Sequence, residues 1–547
     1  MSDSDSSKKG SQDTSNTPLT SRRGLFKALG LGAGVLALKG AETITGALNP
    51  LAFAESDLPA SNPPELMGQP LPDGLNPAHF KMHSRAPLTL ESKRHLVGTS
   101  VITNHKHLFV RNNLPMPDEE IVRDRDAWQV KVEGVNQPRT LTLRELKEMG
   151  LETVTAVLQC SGNGRAFYTH GPSGSKWATG AAGCVVWSGV PVRDVVAALG
   201  GVKANAKFLT STGGDPLPEG LDPLSVIVER SVPREKAMAD AILAWEMNGE
   251  PIPLTHGGPV RLIVPGYFGC NQIKYVKQIA FTQEQTKAKI QHTGYRFRPI
   301  GEKGSPEQPS MWAMKAKSWL INPPAMREGT QILRGVAFGG EHKITKVEVS
   351  INGGETWREA QFVGPDLGRF AWRLFTLKVS LPRGEHTLVS RAYDETGEVQ
   401  LEQRPENERG YGHTGWRNHA LKVQIDNNAA DLLYQAQEEE RRPLPTAAVS
   451  GASAASAQKA EKTALSPQAQ RGREVYLKES APQCGICHTL DDAETKGVVG
   501  PNLNTLKPGE EQVLTAIKQG IGAMPPQSSL NEQQLKDLAR YVFEATR

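Results

Sequence analysis

The sequence predicts a multidomain chain in which a mixed α and β domain is followed by an immunoglobulin-like β-sandwich and a small all-α domain. Three observations carry that prediction. At 547 residues the chain exceeds what one hydrophobic core fills. Its texture changes at about residue 314, from interleaved strand-like and helix-like runs to short alternating strands with Gly and Pro turns. It changes again after Asn428, where large apolar residues become sparse before helical patterns return. The formal charge is +4 and the hydrophobic share 38%, which describes a globular protein without the basic excess of a nucleic-acid binder.

Residues 1–54 read as an address. Ser21-Arg22-Arg23-Gly24-Leu25-Phe26-Lys27 precedes a Gly- and Ala-rich apolar run to Leu38, and Ala52-Phe53-Ala54 offers small residues for cleavage. That pattern predicts twin-arginine export to the periplasm. The run is broken by glycine and is shorter than the roughly 20 residues needed to span a bilayer, so no stable membrane span is expected. Export of folded chains by this route fits a cofactor inserted before transport. The five cysteines, at 160, 184, 270, 484 and 487, are too few for a disulfide framework. Cys184 and Cys270 read as buried structural thiols.

Residues 87–313 form the predicted mixed domain, with a strand at Pro259-Val260-Arg261-Leu262-Ile263-Val264 and helices over 141–149 and 192–199. Residues 314–428 form the sandwich. There Ile344-Thr345-Lys346-Val347-Glu348-Val349-Ser350-Ile351 alternates, Asn352-Gly353-Gly354 turns, and Trp372-Arg373-Leu374-Phe375 and His386-Thr387-Leu388-Val389-Ser390 follow. Residues 429–465 read as a linker: a solvated helix over 431–442, then a flexible Ala/Ser/Gln tract with a reach on the order of 30 Å. The last domain, 466–547, is thereby tethered.

In that domain Cys484-Gly485-Ile486-Cys487-His488 sets two thiols one helical turn apart, followed at once by an imidazole. This spacing suits thioether attachment of one covalent haem c, with His488 as one axial ligand of the iron. A redox or zinc reading of the Cys-x-x-Cys competes, but the adjacent histidine and the downstream Ala523-Met524-Pro525-Pro526 favour haem. Met524, on a proline-stiffened loop, supplies the second axial ligand. Helical patterns over 468–477 and 532–543 complete an all-α cytochrome c domain.

Electrons must reach such a haem, and Leu158-Gln159-Cys160-Ser161-Gly162-Asn163-Gly164-Arg165 places a cysteine on a glycine-rich turn after an apolar strand. With Phe109-Val110-Arg111-Asn112-Asn113-Leu114-Pro115, Trp177-Ala178-Thr179-Gly180-Ala181, Trp245-Glu246-Met247-Asn248-Gly249, His256-Gly257-Gly258-Pro259-Val260-Arg261 and Trp416, that loop resembles the sulfite oxidase family of molybdenum enzymes. The likeness runs from about Phe109 to Ile425. It implies a mixed α+β molybdopterin-binding domain with the sulfite oxidase fold, and a dimerisation sandwich that makes the protein a homodimer.

By that resemblance Cys160 is the thiolate that binds molybdenum, a soft ligand for a soft centre. Phe109, Asn112, Asn113, Asp215, His256, Arg261, Gln272 and Lys274 match positions that hold the molybdopterin and its phosphate. Arg111, Arg165 and Arg409 match the arginines of an oxyanion pocket, where guanidinium donates in parallel pairs, and Tyr295 matches the tyrosine near the reactive oxygen. Asn113 stands where many relatives have histidine. Glu408 sets a carboxylate beside Arg409, which weakens anion binding unless it points away or pairs with Arg417.

The function this implies is sulfite oxidation to sulfate, with electrons passing to the fused haem and on to a soluble cytochrome c. A dehydrogenase acting on sulfane sulfur in a thiosulfate pathway is the alternative within the family, with a reductase running electrons inward behind it. From another class comes an electron carrier whose molybdenum-like domain is only structural.

Overall fold

The computed structural model describes residues 71–441, 465–497, 499–520 and 524–547. The predicted export signal, most of the flexible tract and Ala523 lie outside the described residues.

The mixed domain is built on two five-stranded sheets. In one, Glu250–Pro251, Ile242–Met247, Ala182–Pro191 and Glu152–Gln159 lie in that order, with Arg261–Ile263 also paired to Ile242–Met247. Ala182–Pro191 is buried along nearly its whole length, which explains why it shows a continuous apolar run and not an alternation. The second sheet runs Arg139–Thr142, Gln129–Glu133, Val276–Thr282, Phe208–Gly213, Glu229–Pro233, and its one parallel pair is Gln129–Glu133 with Val276–Thr282. The helix expected over 141–149 spans Leu143–Glu148, opened by a reciprocal cap between Thr142 and Glu145. A three-stranded sheet, Phe80–Ser84, Thr89–Ser92 and Val110–Arg111, ends at the cavity described below.

The next segment is a two-sheet β-sandwich. One sheet orders Lys317–Leu320, Gly329–Phe338, Arg373–Leu381 and Gln361–Val363; the other orders Ala325–Met326, Leu421–Ile425, Gly384–Asp394, Ile344–Ser350 and Arg358–Glu359. Alternation along Arg373–Leu381 sends Phe375, Leu377, Val379 and Leu381 inward, where they meet Leu333, Val347, Leu388 and Val423 from the other strands. Trp372 does not join them. It packs with Trp319, Val336, Val157 and Cys184 in a cluster shared by sandwich and mixed domain.

The helix foreseen in the linker spans Asn427–Arg441. The last domain holds helices at Pro467–Glu474, Cys484–Cys487, Leu503–Leu506, Glu510–Gln519 and Glu532–Ala545. It departs from an all-α arrangement by a small ribbon, Thr489–Leu490 paired with Thr495–Lys496. Its first and last helices cross closely at Gly472, where an added Cβ would lie 1.9 Å from the Asp537 carbonyl oxygen. Among the described residues no helix is long and apolar enough to cross a membrane.

Candidate functional site

The strand Glu152–Gln159 delivers Cys160 to a tight loop whose geometry needs its glycines. Gly164 has φ 98°, and a Cβ on Gly162 would fall 2.7 Å from Arg165 Nη2. Asn163 fixes the turn: its Nδ2 donates to Gln159 Oε1 at 3.1 Å and its Oδ1 accepts from the Ala181 amide at 3.2 Å. Cys160 is thereby held, half-buried and unpaired in any disulfide, at the wall of a cavity.

That cavity gathers residues from across the mixed domain. Phe109, Arg111, Asn112, Asn113, Cys160, Asp215, His256, Arg261, Gln272, Lys274 and Tyr295 all line it. Arg165 and Arg409 do not. Both guanidinium groups lie beside Tyr411, at 5.2 Å and 5.9 Å from its ring, and Tyr411 stacks on Tyr295 of the cavity wall at 5.2 Å. Arg165 is spent on scaffolding: Nε donates to the Arg409 carbonyl and Nη1 to the Ser175 carbonyl, each at 2.9 Å.

Part of the cavity lining is a cationic cradle. Arg261 donates from Nη1 to the His256 carbonyl at 2.8 Å, and burial lowers its pKa to about 10. Lys274 donates to Asn112 Oδ1 at 2.7 Å and the Thr255 carbonyl at 2.6 Å; burial first, then the neighbouring charge of Arg261, pulls its pKa well below the usual lysine range. His256 donates from Nε2 to the His105 carbonyl at 3.0 Å, and burial keeps the ring neutral. Asp215 is raised to about 6 by burial, against the pull of Lys274.

Two cations with one reluctant carboxylate make a site short of negative charge, and Gln272 Oε1 is buried there without a partner. Both fit an anionic, hydrogen-bonding group such as the phosphate and pterin of molybdopterin. Asn113 Oδ1 accepts from Arg111 Nη2 at 2.8 Å, so the asparagine orients the arginine. Glu408 turns away from the anion site and accepts from the Gly301 amide at 2.8 Å; Arg417 pairs with Glu402 instead. Burial raises the Tyr295 phenol well above its ordinary value, with the Tyr411 hydroxyl as the next cause.

Cys184 is fully buried, its thiol pushed up to about 12 by burial. Cys270 differs from the structural thiol expected of it: it is half-buried and lines the same cavity as Cys160. Tyr411, Arg230 and Lys317 escaped the sequence reading. Tyr411 sits in a glycine-rich run, Gly410-Tyr411-Gly412, two residues from Arg409, a signal that could have found it. Arg230, which lies 5.5 Å over the Tyr295 ring, and Lys317 look in sequence like ordinary strand residues.

In the last domain Cys484 and Cys487 occupy one helical turn and His488 follows it. His488 Nδ1 bonds the Pro501 carbonyl at 2.9 Å, leaving Nε2 as the nitrogen for a metal. A Cβ on Gly500 would lie 2.4 Å from the imidazole Cε1, so glycine lets the chain pass under the ring. Met524 packs against the domain core. These features fit a haem joined to both thiols with His488 beneath it.

Comparisons with known proteins find relatives for each of the three parts of the chain. The oxidoreductase molybdopterin binding domain family matches residues 114–290, the Mo-co oxidoreductase dimerisation domain 311–442, and the cytochrome C oxidase, cbb3-type, subunit III family 467–542. The mitochondrial sulfite oxidase of Rattus norvegicus is 30% identical over 404 residues, covering 68% of this chain and 72% of that protein. Sulfite oxidase of Arabidopsis thaliana is 26% identical over 380 residues, 64% of this chain and 95% of that protein. The crystal structure of the sulfane dehydrogenase SoxCD from Paracoccus pantotrophus matches the fold with a TM-score of 0.54 at 24% identity, covering 71% of this chain and all of that one.

Proposed function

Because the chain belongs to the sulfite oxidase family of molybdenum enzymes and ends in a cytochrome c domain, we propose that it oxidises sulfite to sulfate and passes the electrons out through its own haem. The observation that carries this reading is one cavity lined by Cys160, Arg111 and Tyr295 together with Arg261, Lys274 and His256. The bound molybdenum cofactor supplies two-electron oxygen-atom chemistry, and the haem supplies one-electron transfer.

The chain's own residues do the rest. Cys160 would hold the metal, Arg261 and Lys274 would neutralise the cofactor's phosphate, and neutral His256, its one N–H given to the His105 carbonyl, would offer Nδ1 as an acceptor to a donor of the pterin. Arg111, oriented by Asn113, and Arg409, its backbone braced by Arg165 beside Tyr411, draw in the oxyanion. Tyr295 keeps its proton and donates a hydrogen bond to the oxygen in transit. Sulfite and water yield sulfate, two protons and two electrons, which leave singly for a soluble cytochrome c. We read the sandwich as immunoglobulin-like and as the surface of a homodimer, and the address at 1–54 as placing the enzyme in the periplasm.

The fold shared with a sulfane dehydrogenase supports a second reading, oxidation of sulfane sulfur at the same site. Rapid mixing of the oxidised holoenzyme with sulfite or thiosulfate, followed at the haem absorption bands, separates the two. Sulfite is expected to reduce the haem within the mixing experiment, and Cys160→Ser is expected to abolish that reduction. A haem that thiosulfate reduces and sulfite does not would overturn the first reading in favour of the second.

A further inference from the structure

Among the described residues, the haem domain meets the mixed domain and the sandwich segment through one hydrogen bond each that the reaction itself does not require. Lys289 Nζ donates to the Met524 carbonyl at 2.7 Å, and Arg409 Nη1 donates to the Gly520 carbonyl at 3.3 Å. Both acceptors belong to the loop that carries the methionine assigned to the haem iron. Gly520 has φ 70°, and a Cβ there would lie 2.6 Å from the Met524 carbonyl oxygen, so glycine lets residue 520 lie this close to Met524.

The two cations are an uncomfortable pair. Arg409 is 6% exposed, and its charge is the second cause, after burial, of a Lys289 pKa lowered to about 8. The adjacent carboxylate, Glu408, is turned to the Gly301 amide. Arg409 Nε is buried without a partner. One edge of this guanidinium is therefore held by the haem domain, while another donor beside the stacked Tyr295 and Tyr411 is left unsatisfied. A small oxyanion on that donor would satisfy it and relieve the repulsion between the two cations at once.

We propose that Arg409 is a shared anchor, held on one edge by the haem domain's Gly520 carbonyl and on another by the oxyanion, so that oxyanion binding and haem docking strengthen each other. Lys289 is a docking residue in this arrangement and takes no part in the chemistry. An occupied site then holds the electron outlet in place, and an empty one lets it go. The inference rests on the reading of Arg409 as an oxyanion ligand. By thermodynamic reciprocity, whatever factor the oxyanion adds to docking, docking adds to oxyanion affinity.

The test uses the full-length oxidised holoenzyme, small-angle X-ray scattering for docking and titration calorimetry for binding, with sodium sulfate as the probe. In sodium chloride raised until the haem domain separates, exchange of chloride for sulfate at equal ionic strength is expected to restore the compact form. Lys289→Met should separate at lower chloride and bind sulfate about tenfold more weakly, the loss expected of one charge-assisted hydrogen bond, whereas Lys289→Arg should behave as the wild type. Sulfate that binds but compacts the chain no better than chloride overturns this inference alone. Scattering from Lys289→Met identical to the wild type at every salt concentration does the same. Absence of sulfate binding removes the oxyanion role of Arg409 and this inference with it, while leaving the sulfite-driven haem reduction to be judged by its own experiment.

Discussion

Lys317 opens a sandwich strand with its ammonium wholly buried, donating to the Asn163 carbonyl of the cysteine loop at 3.2 Å. Burial lowers its pKa to about 7, against the opposing pull of the Cys160 sulfur. The unfolded chain therefore binds more protons than the folded one between about pH 7 and the ordinary lysine value, and stability rises with pH across that window. Urea titrations at pH 7 and pH 10 should differ by a few kcal/mol in the wild type, and Lys317→Met should remove that part of the difference. No pattern in Lys317-Ser318-Trp319-Leu320 announces this, because a lysine at a strand end ordinarily faces water. Cys160 and the cradle residues were legible for the opposite reason. Each sits in a short motif whose glycines and prolines fix the backbone, so local sequence encodes local geometry. Arg165 and Arg409 were legible as residues but not as neighbours of Tyr411, since stacking between segments far apart in sequence leaves no local trace.

Among the elements, the terminal helices of the haem domain depend on one close approach. Pro467–Glu474 and Glu532–Ala545 cross where Gly472 meets the Asp537 backbone, and Tyr476 packs edge-on against Tyr541 at 5.6 Å just beyond. Gly472→Ala is expected to force the helices apart at a cost of about 2 kcal/mol, read as a lower unfolding midpoint of the haem absorption. Gly509→Ala serves as the control: nothing lies within 4 Å of its added Cβ, and its φ of −68° suits any residue. The sequence foretold both helices from their apolar spacing, and the sandwich strands from their alternation. The ribbon at Thr489–Leu490 escaped notice because two-residue strands have no period to read.

In the molecule as a whole, two of the hydrophobic clusters among the described residues differ in reach. Val157 and Cys184 of the mixed domain share a cluster with Trp319, Val336 and Trp372 of the sandwich, whereas the haem domain's cluster draws every member from residue 465 onward. All nine tryptophans precede residue 417. Heating or denaturant should thus give two transitions, one seen by tryptophan fluorescence and one by haem absorption, with separate midpoints. Coincident midpoints under all conditions would show the two cores to be one cooperative unit.

The shared cluster also bears on inheritance. The strand that presents Cys160 is wedged against sandwich tryptophans, so the mixed domain and sandwich must be gained, kept or lost together, because either alone would expose a face built for the other. The haem domain closes its own core and can be moved between genes. On the proposed reading, separating the haem domain from the rest of the chain would turn an internal electron outlet into a meeting of two proteins.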